Sequence, residues 1–590
     1  MNFVKKIISI LLIFVSGSVF SQFLIPHYKY ENDFRTRCDT LLYSIAKEVT
    51  SASFPSVAAR LKTGIDVEGA LTDLNQILDN PQGSIFYSYP LIGTYLYFKD
   101  MLPDDIKEKV KNVFRNTPIY RGDTENHLLM YYTSIYLAAQ TFENLDRWFN
   151  GKSTQENLNE AKGFLNYWYD ITFSKGQGEF DSPVYITLYI NTMLLLTDFA
   201  IEDDIQIKSH MALDLVLVDL AAEYLNGIYG GAHSRIYQRT IHDDRYDDFS
   251  VFAYLYFGGL EKQVKSYGFI AALSGYRLPQ IIYHIAQDRS DPYVHKEKKR
   301  VRNIIRFHDE LNPPVYKYTY MTKDYVLGSL QGGILQPIQQ HTWDLSFVQK
   351  RKFNTVFSLH PYYSGYELAM FFPERLKIMT EDVVQSKGTY NKEDKWTGSS
   401  PYERTFQHEN TIIVLYNIDP DDNVKHIDAY FPKSLDNLER TELGWIFGNG
   451  GNIYFAYLPL KSYDWTEEEN GYRLRSPFLK NGLIFEVSSK DKYSSFEEFK
   501  RDIIANPLDY TNFDDILTVQ YQNSSGESLK FTYPDKRHIN DKEIDFTEYK
   551  LFESPYVFSE VESKKIEIRY QTLRRVLDIN NLRIEDYIQK

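Results

Sequence analysis

The sequence is short of features that would place it in several common protein classes. It has one cysteine, Cys38, in 590 residues, so no intrachain disulfide can form. It has no apolar run long enough to span a bilayer. It also lacks a P-loop, a dinucleotide-binding glycine pattern and a Gly-x-Ser-x-Gly nucleophile elbow. These absences argue against a transmembrane protein, a nucleotide-binding enzyme of those types and an α/β-hydrolase.

Positive charge is also scarce. Asp and Glu number 80 against 66 Lys and Arg, which gives a net charge of −14. Nucleic acid is therefore not predicted as a partner, because its binding needs a basic surface. An anionic substrate would need a local cluster of Arg, Lys or His to overcome the charge of the whole protein.

The N-terminus has the pattern of a secretory signal peptide at residues 1–21. Lys5 and Lys6 precede the apolar run Ile7 to Val15, and Ser21 is a small residue at the cleavage point. The apolar run is too short to span a bilayer, and no cysteine near the cleavage point offers a lipid anchor. The pattern predicts a periplasmic or secreted protein.

The rest of the chain predicts two large domains, a helical one at 22–312 and a β-rich one at 313–590. Over residues 28–309, apolar positions recur at helical spacing, and short polar connections separate the periodic stretches. Met211 to Leu225 is predicted as one of these helices, with Gly227 as its C-cap. Helix after helix joined by short loops predicts a toroid of paired helices, an (α/α) toroid, although an open solenoid fits the same pattern.

The β-rich half is predicted to begin near Asn312-Pro313-Pro314, where two prolines end the helical pattern. Thr411 to Tyr416 is a continuous β-branched, aliphatic and aromatic run, as in a strand buried on both faces. Turn signals such as Asn470-Gly471 and Asn481-Gly482 separate similar runs. Many short strands predict a large antiparallel β-sandwich domain. Ser494 to Ala505 is predicted as a helix within it.

Asn126 and His127 form the sharpest candidate site. They follow Asp123 and Thr124, either of which can cap a helix that starts there. Both then lie in the first helical turn, where free backbone N–H groups and the positive end of the helix dipole favour an anion. The pair is predicted to bind a carboxylate. The alternative is that both side chains only satisfy loop backbone groups.

The segment Gly230 to Arg239 is a second candidate. Its polar side chains alternate, so in an extended segment they would share one face: His233, Arg235, Tyr237 and Arg239. Positive charge on both sides of Tyr237 stabilises phenolate and would lower the pKa of the tyrosine. Tyr237 is therefore predicted to transfer protons, and the other three to bind substrate. The alternative is a polar loop held by salt bridges.

Glu179, Tyr185 and Tyr189 are a third candidate group. Pro183 is predicted to start a helix capped by one of the two residues before it. The three side chains would then line a cleft at the same end of the helical array and contact substrate. Helix capping alone explains the two residues before Pro183.

Two histidines of the β-rich half complete the candidates. His341 lies in Gln339-Gln340-His341-Thr342-Trp343, and His408 in Gln407-His408-Glu409-Asn410. Both are predicted to contribute one wall of the cleft, or else to be buried polar groups. Together with His426 they could form a metal site, but their spacing in the sequence is not that of a typical set of metal ligands. No cofactor is predicted to be required; a structural divalent ion in the β-rich domain is the alternative.

The layout of an export signal, a helical domain and a large antiparallel β domain resembles that of the toroid-type polysaccharide lyases. That class includes alginate lyases and heparinase II-like enzymes. Their Asn-His pair on a toroid helix resembles Asn126-His127, and their downstream acid or base tyrosine resembles Tyr237. The alginate-type pattern is Asn-Asn-His-Gly, whereas this chain has Glu125-Asn126-His127-Leu128. The β-domain zinc ligands of heparinase II-like enzymes have no clear match.

The resemblance implies a secreted lyase that cleaves a uronic-acid-containing glycan by β-elimination. Asn126, with Arg239, would bind the uronate carboxylate and stabilise the charge that develops as the C5 proton leaves. His127 or Tyr237 would remove that proton. Tyr237 would protonate the departing glycosidic oxygen.

Two other functions fit the same residues. A glycoside hydrolase on a helical toroid needs two carboxyl groups beside the bond, and Glu125, Glu179 and Asp181 are available. A non-catalytic glycan-binding protein would use the abundant tyrosines without turnover.

Overall fold

A computed structural model gives the fold of the chain. It describes residues 28–122, 124–243, 245, 247–258, 265–300, 315–331, 340–364, 382, 384–386 and 388–589. The predicted signal peptide at 1–21, Asp123, the predicted boundary at Asn312-Pro313-Pro314 and Gln339 lie outside the described residues. Within those residues, no helix has both the length and the apolar character needed to cross a bilayer.

Helices fill the N-terminal half, as predicted. The long helices are α1 Tyr28–Lys47, α2 Phe54–Thr63, α3 Val67–Asp79, α4 Ile85–Phe98, α5 Asp104–Asn116, α6 Glu125–Thr141, α7 Thr154–Lys175, α8 Ile186–Phe199 and α9 Asp203–Ala222. Shorter helices follow: α10 Ser250–Tyr256, α11 Phe269–Leu273 and α12 Gln280–Gln287.

These helices close into a ring. Along the inside, α2 packs on α4, α4 on α6, α6 on α8, α8 on α11, and α11 returns to α2. The inner helices are buried almost all around, whereas the outer helix α5 buries a single stripe, Ile106, Val110, Val113 and Phe114. Closure excludes the open solenoid and confirms the toroid.

The inner helices α4, α6 and α8 run in the same direction, because each is separated from the next by one antiparallel outer helix. Their N-termini therefore meet at one end of the ring, which we call the mouth. The segment 176–185, between α7 and α8, crosses the same end.

Antiparallel strands fill the C-terminal half. The bounds are β3 Tyr293–Lys299, β4 Val315–Met321, β5 Tyr325–Leu330, β6 Trp343–Phe347, β7 Thr355–Leu359, β8 Glu403–His408, β9 Thr411–Asn417, β10 Ile427–Pro432, β11 Asn437–Arg440, β12 Ile446–Gly450, β13 Ile453–Pro459, β14 Asp464–Glu467, β15 Gly471–Ser476, β16 Lys480–Ser489, β17 Leu508–Asp509, β18 Thr518–Gln522, β19 Ser528–Thr532, β20 Lys536–Ile539, β21 Lys542–Glu543, β22 Phe552–Glu553, β23 Val557–Ser559, β24 Lys565–Tyr570, β25 Leu573–Asp578 and β26 Arg583–Ile588. Helices α13 Phe496–Ala505 and α14 Phe513–Ile516 lie among them.

These strands form three sheets. The large sheet has the order β14-β15-β10-β7-β6-β5-β4-β3-β22-β23-β24-β25-β26, the second has the order β11-β12-β13-β16-β9-β8, and the third runs from β17 to β21 in sequence order. Apolar side chains of the large and second sheets share one core, which confirms the predicted β-sandwich. The third sheet and α13 pack on the other face of the second sheet.

The last strands return to the toroid. Phe552, Ile566 and Leu577 are buried in the same apolar core as the helices. The large sheet therefore serves both as one layer of the sandwich and as a platform against which the toroid packs.

The structure corrects three local predictions. Residues 293–299, predicted within the helical pattern, form strand β3. The helix predicted to reach Leu225 ends at Ala222, and Gly227 forms the turn of the hairpin β1 Tyr224–Leu225 and β2 Ile228–Tyr229 instead of a C-cap. Asn481-Gly482, predicted as a turn, lies inside β16, where pairing with β9 overrides the local turn preference.

Candidate active site at the mouth of the toroid

Helix α6 begins at the mouth, with Thr124 as its N-cap. The Thr124 hydroxyl accepts the backbone N–H of His127 at 3.4 Å. Asn126 is fully buried; its backbone N–H donates to Glu179 Oε2 at 2.8 Å, and its Nδ2 donates to the same oxygen at 2.6 Å. The anion predicted for this helix N-terminus is therefore a carboxylate of the chain itself.

This arrangement changes what Asn126 can offer a ligand. Its Nδ2 also donates to Thr124 Oγ1 at 2.9 Å, so both amide hydrogens are engaged. Its Oδ1 has no hydrogen-bond partner among the described residues. Asn126 can therefore accept a hydrogen bond, whereas the predicted donation to a uronate carboxylate does not fit the observed contacts.

A hydrogen-bond chain leads from Glu179 toward the solvent. Arg235 donates through Nη1 to Glu179 Oε1 at 3.0 Å and through Nη2 to Tyr185 Oη at 3.1 Å. The hydroxyls of Tyr185 and Tyr237 are hydrogen-bonded to each other. We call Asn126 and these four residues the Glu179 network. It joins two predicted catalytic residues, Asn126 and Tyr237, through three predicted substrate-binding ones.

Arginine side chains also cover the tyrosine rings. The guanidinium of Arg235 lies 4.6 Å from the ring centre of Tyr185, and that of Arg239 lies 4.7 Å from the ring centre of Tyr237. The Arg239 side chain is 59% exposed and lies 3.7 Å from Asp248. Arg239 is thus an accessible cation at this end of the site.

Exposure increases along the network. Glu179 is 2% exposed and Arg235 is 8% exposed, whereas Tyr185 and Tyr237 are half-buried. Burial raises the pKa of Tyr185 above its usual value, although Arg235 opposes the shift. Tyr185 therefore keeps its proton at neutral pH and can donate it in a hydrogen bond.

The backbone of Arg235 explains why His233 does not join the network. Arg235 has φ of 52°, in the left-handed region, so the segment is not extended there and the predicted shared face is wrong. His233 is fully buried, with Nδ1 2.7 Å from Asp181 O and Nε2 3.0 Å from Tyr229 O. Burial lowers the pKa of His233 to about 3, which fits a structural role better than the predicted substrate contact.

Three further predicted substrate-binding residues have other surroundings. Tyr189 is fully buried in the toroid core, with its ring centre 5.9 Å from that of Trp168. His341 is buried against Phe357, its backbone N–H donates to His233 O at 2.9 Å, and burial lowers its pKa to about 3. His408 contacts Glu527 at 2.7 Å, between the second and third sheets. Tyr189 meets the Glu179 network through its backbone, whose N–H donates to Tyr185 O at 3.4 Å.

A second buried carboxylate, that of Glu125, supports the Glu179 network, and no pattern in the sequence indicates this role. Glu125 is buried at the start of α6 and accepts hydrogen bonds from Trp168 Nε1 at 2.7 Å, from the backbone N–H of Glu179 at 3.0 Å and from Arg300 Nη2. Glu125 thus binds the backbone of residue 179, while Glu179 binds the backbone of residue 126. No local pattern marks Arg300, because its partner lies 175 residues away in the sequence.

Two residues beyond Glu179, the chain enters a buried group of charges that was also missed. We call it the Asp181 cluster; it consists of Asp181, Asp219, Glu223, His295, Glu297, Lys299 and Lys317, all buried. In β3 and β4, alternate residues point to the same face, and register pairs Glu297 with Lys317. The helical domain supplies the other carboxylates.

Lysines connect the carboxylates of this cluster. Lys317 Nζ lies 2.7 Å from Asp181 Oδ2 and also bonds Glu223, and Lys299 Nζ lies 2.5 Å from Asp219 Oδ2 and 2.6 Å from Glu297 Oε1. Burial raises the pKa of Glu223 to about 8, although Lys317 opposes the shift. The cluster joins the toroid to the large sheet.

Two sets of residues in this cluster have the donor types and spacing of a metal site: Asp219, His295 and Glu297, and Asp181, Glu223 and Glu297. The ammonium groups of Lys299 and Lys317 already supply positive charge among these carboxylates. The histidines that the sequence suggests as metal ligands belong to neither set. His408 contacts Glu527, and His426 Nε2 contacts Glu393 O at 3.1 Å.

No family model and no curated protein sequence matches the chain. Two solved structures of heparinase III are similar to it. One has 11% sequence identity and a TM-score of 0.36 over 87% of this chain and 93% of its own. The other has 10% identity and a TM-score of 0.39 over 81% of this chain and 82% of its own. At such low identities and TM-scores, these likenesses decide neither the reaction nor the substrate.

Proposed function

We propose that the protein is a polysaccharide lyase that cleaves a uronic-acid-containing glycan by β-elimination at the mouth of the toroid. The observation that carries the proposal is the hydrogen-bond chain from Arg235 through Tyr185 to Tyr237. The signal-peptide pattern at residues 1–21 fits an enzyme that acts on a periplasmic or extracellular glycan.

The polarity of that chain prepares Tyr237 for proton transfer. Arg235 donates to the Tyr185 oxygen, which makes the Tyr185 hydroxyl a better donor to Tyr237. A hydrogen bond donated to Tyr237 stabilises its phenolate, and the Arg239 guanidinium over its ring favours the same charge state. A tyrosine in this environment can accept a proton in one step and return it in the next.

The proposed reaction needs one proton removed and one delivered. Tyr237 or His127 removes the C5 proton of the uronate, the bond between C4 and the glycosidic oxygen breaks, and a C4–C5 double bond forms. Tyr237 delivers a proton to the leaving oxygen. Arg239, as an accessible cation, pairs with the uronate carboxylate and stabilises the charge that develops on it.

Hydrolysis is the weaker alternative because its candidate carboxylates are engaged. Glu125, Glu179 and Asp181 are at most 2% exposed. Each is bound by at least one cationic side chain: Arg300, Arg235 and Lys317, respectively. An acid and base pair for hydrolysis would need free carboxyl groups on both sides of the glycosidic bond.

Incubation with a panel of uronate-containing polysaccharides tests the proposal, with ultraviolet absorbance and reducing ends measured on the same samples. Elimination raises both signals. With an active substrate, Tyr237→Phe is expected to lower kcat by at least about a hundredfold, since general acid–base catalysis contributes about that much or more.

Tyr493→Phe is the matched control, because Tyr493 is a tyrosine of the C-terminal part whose hydroxyl also makes a side-chain hydrogen bond, to Asp502. Its kcat is expected to stay within about twofold of the native value. Reducing ends without absorbance would mean hydrolysis. Full elimination by Tyr237→Phe would remove Tyr237 from the mechanism.

A further inference from the structure

Two aromatic side chains at the mouth are exposed beside His127. Phe86 is 47% exposed and Tyr120 is 57% exposed. The Phe86 ring meets the His127 ring edge-on, with centroids 5.6 Å apart and an interplanar angle of 87°. A single exposed apolar side chain is ordinary. Two on adjoining segments, one of them in contact with a candidate catalytic histidine, are a surface that a ligand can use.

The backbone fixes both segments against each other. Ser84 and Tyr120 form a parallel bridge, and the Tyr120 N–H donates to Gly83 O at 3.0 Å. A Cβ on Gly83 would lie 2.2 Å from Pro118 O, so only glycine permits this approach. Phe86 follows at the start of the inner helix α4. The aromatic pair, Phe86 and Tyr120, is therefore held on rigid backbone.

The aromatic pair is continuous with the candidate active site. Gly122 has φ of 77°, and a Cβ there would lie 2.5 Å from His127 Nδ1, so the loop after Tyr120 packs directly against the His127 ring. His127 thus contacts both this loop and the Phe86 ring. It is adjacent in sequence to Asn126, the first member of the Glu179 network.

We propose that Phe86 and Tyr120 form a sugar-binding subsite for a second pyranose ring of the same glycan whose uronate is held near Tyr237. This inference rests on the proposed function for the identity of the polymer. The apolar face of a pyranose packs on an aromatic ring, and a tyrosine adds a hydroxyl for hydrogen bonding. The aromatic side chains carry no formal charge at neutral pH, so the subsite can bind either neutral or acidic sugars. Affinity should therefore increase with the length of the oligosaccharide and not with its charge.

Binding of oligosaccharides of increasing length tests the subsite. Calorimetric titrations would use size-fractionated oligosaccharides of heparan sulfate, chondroitin and alginate, in a Tyr237→Phe background that slows turnover. The double substitution Phe86→Ala and Tyr120→Ala is expected to weaken binding of the longer oligosaccharides about tenfold. Disaccharides, which do not reach both sites, are expected to bind as before.

Tyr167→Ala is the matched control, since Tyr167 is also 47% exposed but lies on the outer helix α7; it is expected to bind all lengths normally. Phe86→Trp is expected to bind the longer oligosaccharides as the native protein does, whereas Phe86→Ala is expected to bind them more weakly. Unchanged affinity in the folded double variant would overturn the subsite. An equal loss for short and long oligosaccharides would also overturn it, because that pattern means a disturbed His127.

The two proposals fail differently. Length-dependent loss of binding without any elimination by the native protein would support the subsite and refute the lyase. Elimination by the native protein together with unchanged binding in the double variant would support the lyase and refute the subsite. If the native protein bound none of these oligosaccharides, the subsite would be refuted for acidic glycans.

Discussion

Glu179 and Asp181 lie two residues apart, yet their carboxylates belong to two different regions of the molecule. Glu179 binds the start of α6 and Arg235, and its network reaches half-buried tyrosine hydroxyls at the mouth. Asp181 binds Lys317 and Lys299 in a cluster with no exposed member. The left-handed backbone of Asp181, with φ of 49°, separates the two directions.

The two regions have different roles. The Glu179 network positions groups at the mouth, whereas the Asp181 cluster attaches the toroid to the large sheet. In the Glu179 network, arginine and amide donors fix the orientation of groups that a ligand can reach. In the Asp181 cluster, lysines on β3 and β4 neutralise carboxylates of the toroid among side chains that are all buried. Loss of Lys317 is costly for stability because several buried carboxylates share its charge. In the Glu179 network, where Arg235 keeps Tyr185 as a second acceptor, loss of one partner mainly disturbs geometry.

The largest effect is expected from Lys317→Met. The substitution keeps most of the side-chain volume but leaves Asp181 and Glu223 without their shared ammonium group. Removing one partner of a buried ionic group costs about 3–5 kcal/mol. Urea denaturation followed by circular dichroism would measure the loss in the free energy of unfolding.

Lys296→Met is the matched control for that measurement. Lys296 lies on β3 but faces the other side, where it pairs at 3.5 Å with Glu553, and its side chain is 34% exposed. Its loss should cost less than about 1 kcal/mol. Equal effects of the two substitutions would mean that the Asp181 cluster does not hold the domains together.

Glu179→Gln is expected to differ from Lys317→Met: it should have a large effect on activity and a smaller one on stability. The amide keeps an acceptor for Asn126, but Arg235 loses its ionic partner and the N-terminus of α6 loses its anion. Misplaced groups of this kind lower kcat/KM by about a hundredfold. The free energy of unfolding should fall by only about 1–2 kcal/mol.

Elimination kinetics and urea denaturation on the same preparations would measure both effects of Glu179→Gln. Glu527→Gln is the control, because Glu527 pairs with His408 at a partly exposed position; its kinetics should be native. An unchanged kcat/KM in Glu179→Gln would show that the network does not position the reacting groups. A rise in KM in Glu527→Gln would indicate that His408 takes part in substrate binding, as predicted from the sequence.

The sequence was sufficient for the architecture, because periodicity and turn residues act locally. The start of α6 after its cap Thr124, the run of β9 and the helix at Phe496–Ala505 all lie where the patterns predict them. The exception is β3. Its alternation places charged residues on the buried face, and only the partners in the toroid make such burial tolerable.

The candidate site could be predicted from the sequence only in part, because its contacts join segments that are distant in the chain. Asn126, Glu179 and Tyr237 stand in three recognisable segments, and the structure joins them through Arg235 and Tyr185. What the sequence could not show is which donor meets which acceptor. An anion was expected at the N-terminus of α6 without any sign that it would be a carboxylate of the chain. Arg300 and the lysines of β3 and β4 acquire their roles only through contacts between distant segments.

Measured per unit of pH, the smallest expected effect is a change in the slope of stability against pH. His295 faces Asp219 of α9 at 3.4 Å and Glu297 of its own strand at 3.5 Å, with the Phe552 ring of β22 beside it. Burial disfavours the imidazolium, but the charge of Glu297 and the other carboxylates, including Glu223, raises the pKa of His295 to about 10. In the unfolded chain that pKa is about 6.5.

Between these two pKa values the folded protein holds a proton on His295 that the unfolded chain has lost. The contribution of this proton to stability is therefore complete below about pH 6.5 and disappears as the pH rises to about 10. Over that window, the free energy of unfolding of the native protein should fall more steeply than that of His295→Gln, by at most about 1.4 kcal/mol per pH unit. The difference between the slopes reports His295 together with its effect on the titration of Glu223, because each group shifts the pKa of the other. Parallel slopes would mean that His295 is neutral in the folded state, and the Asp181 cluster would then hold its carboxylates with the two lysines alone.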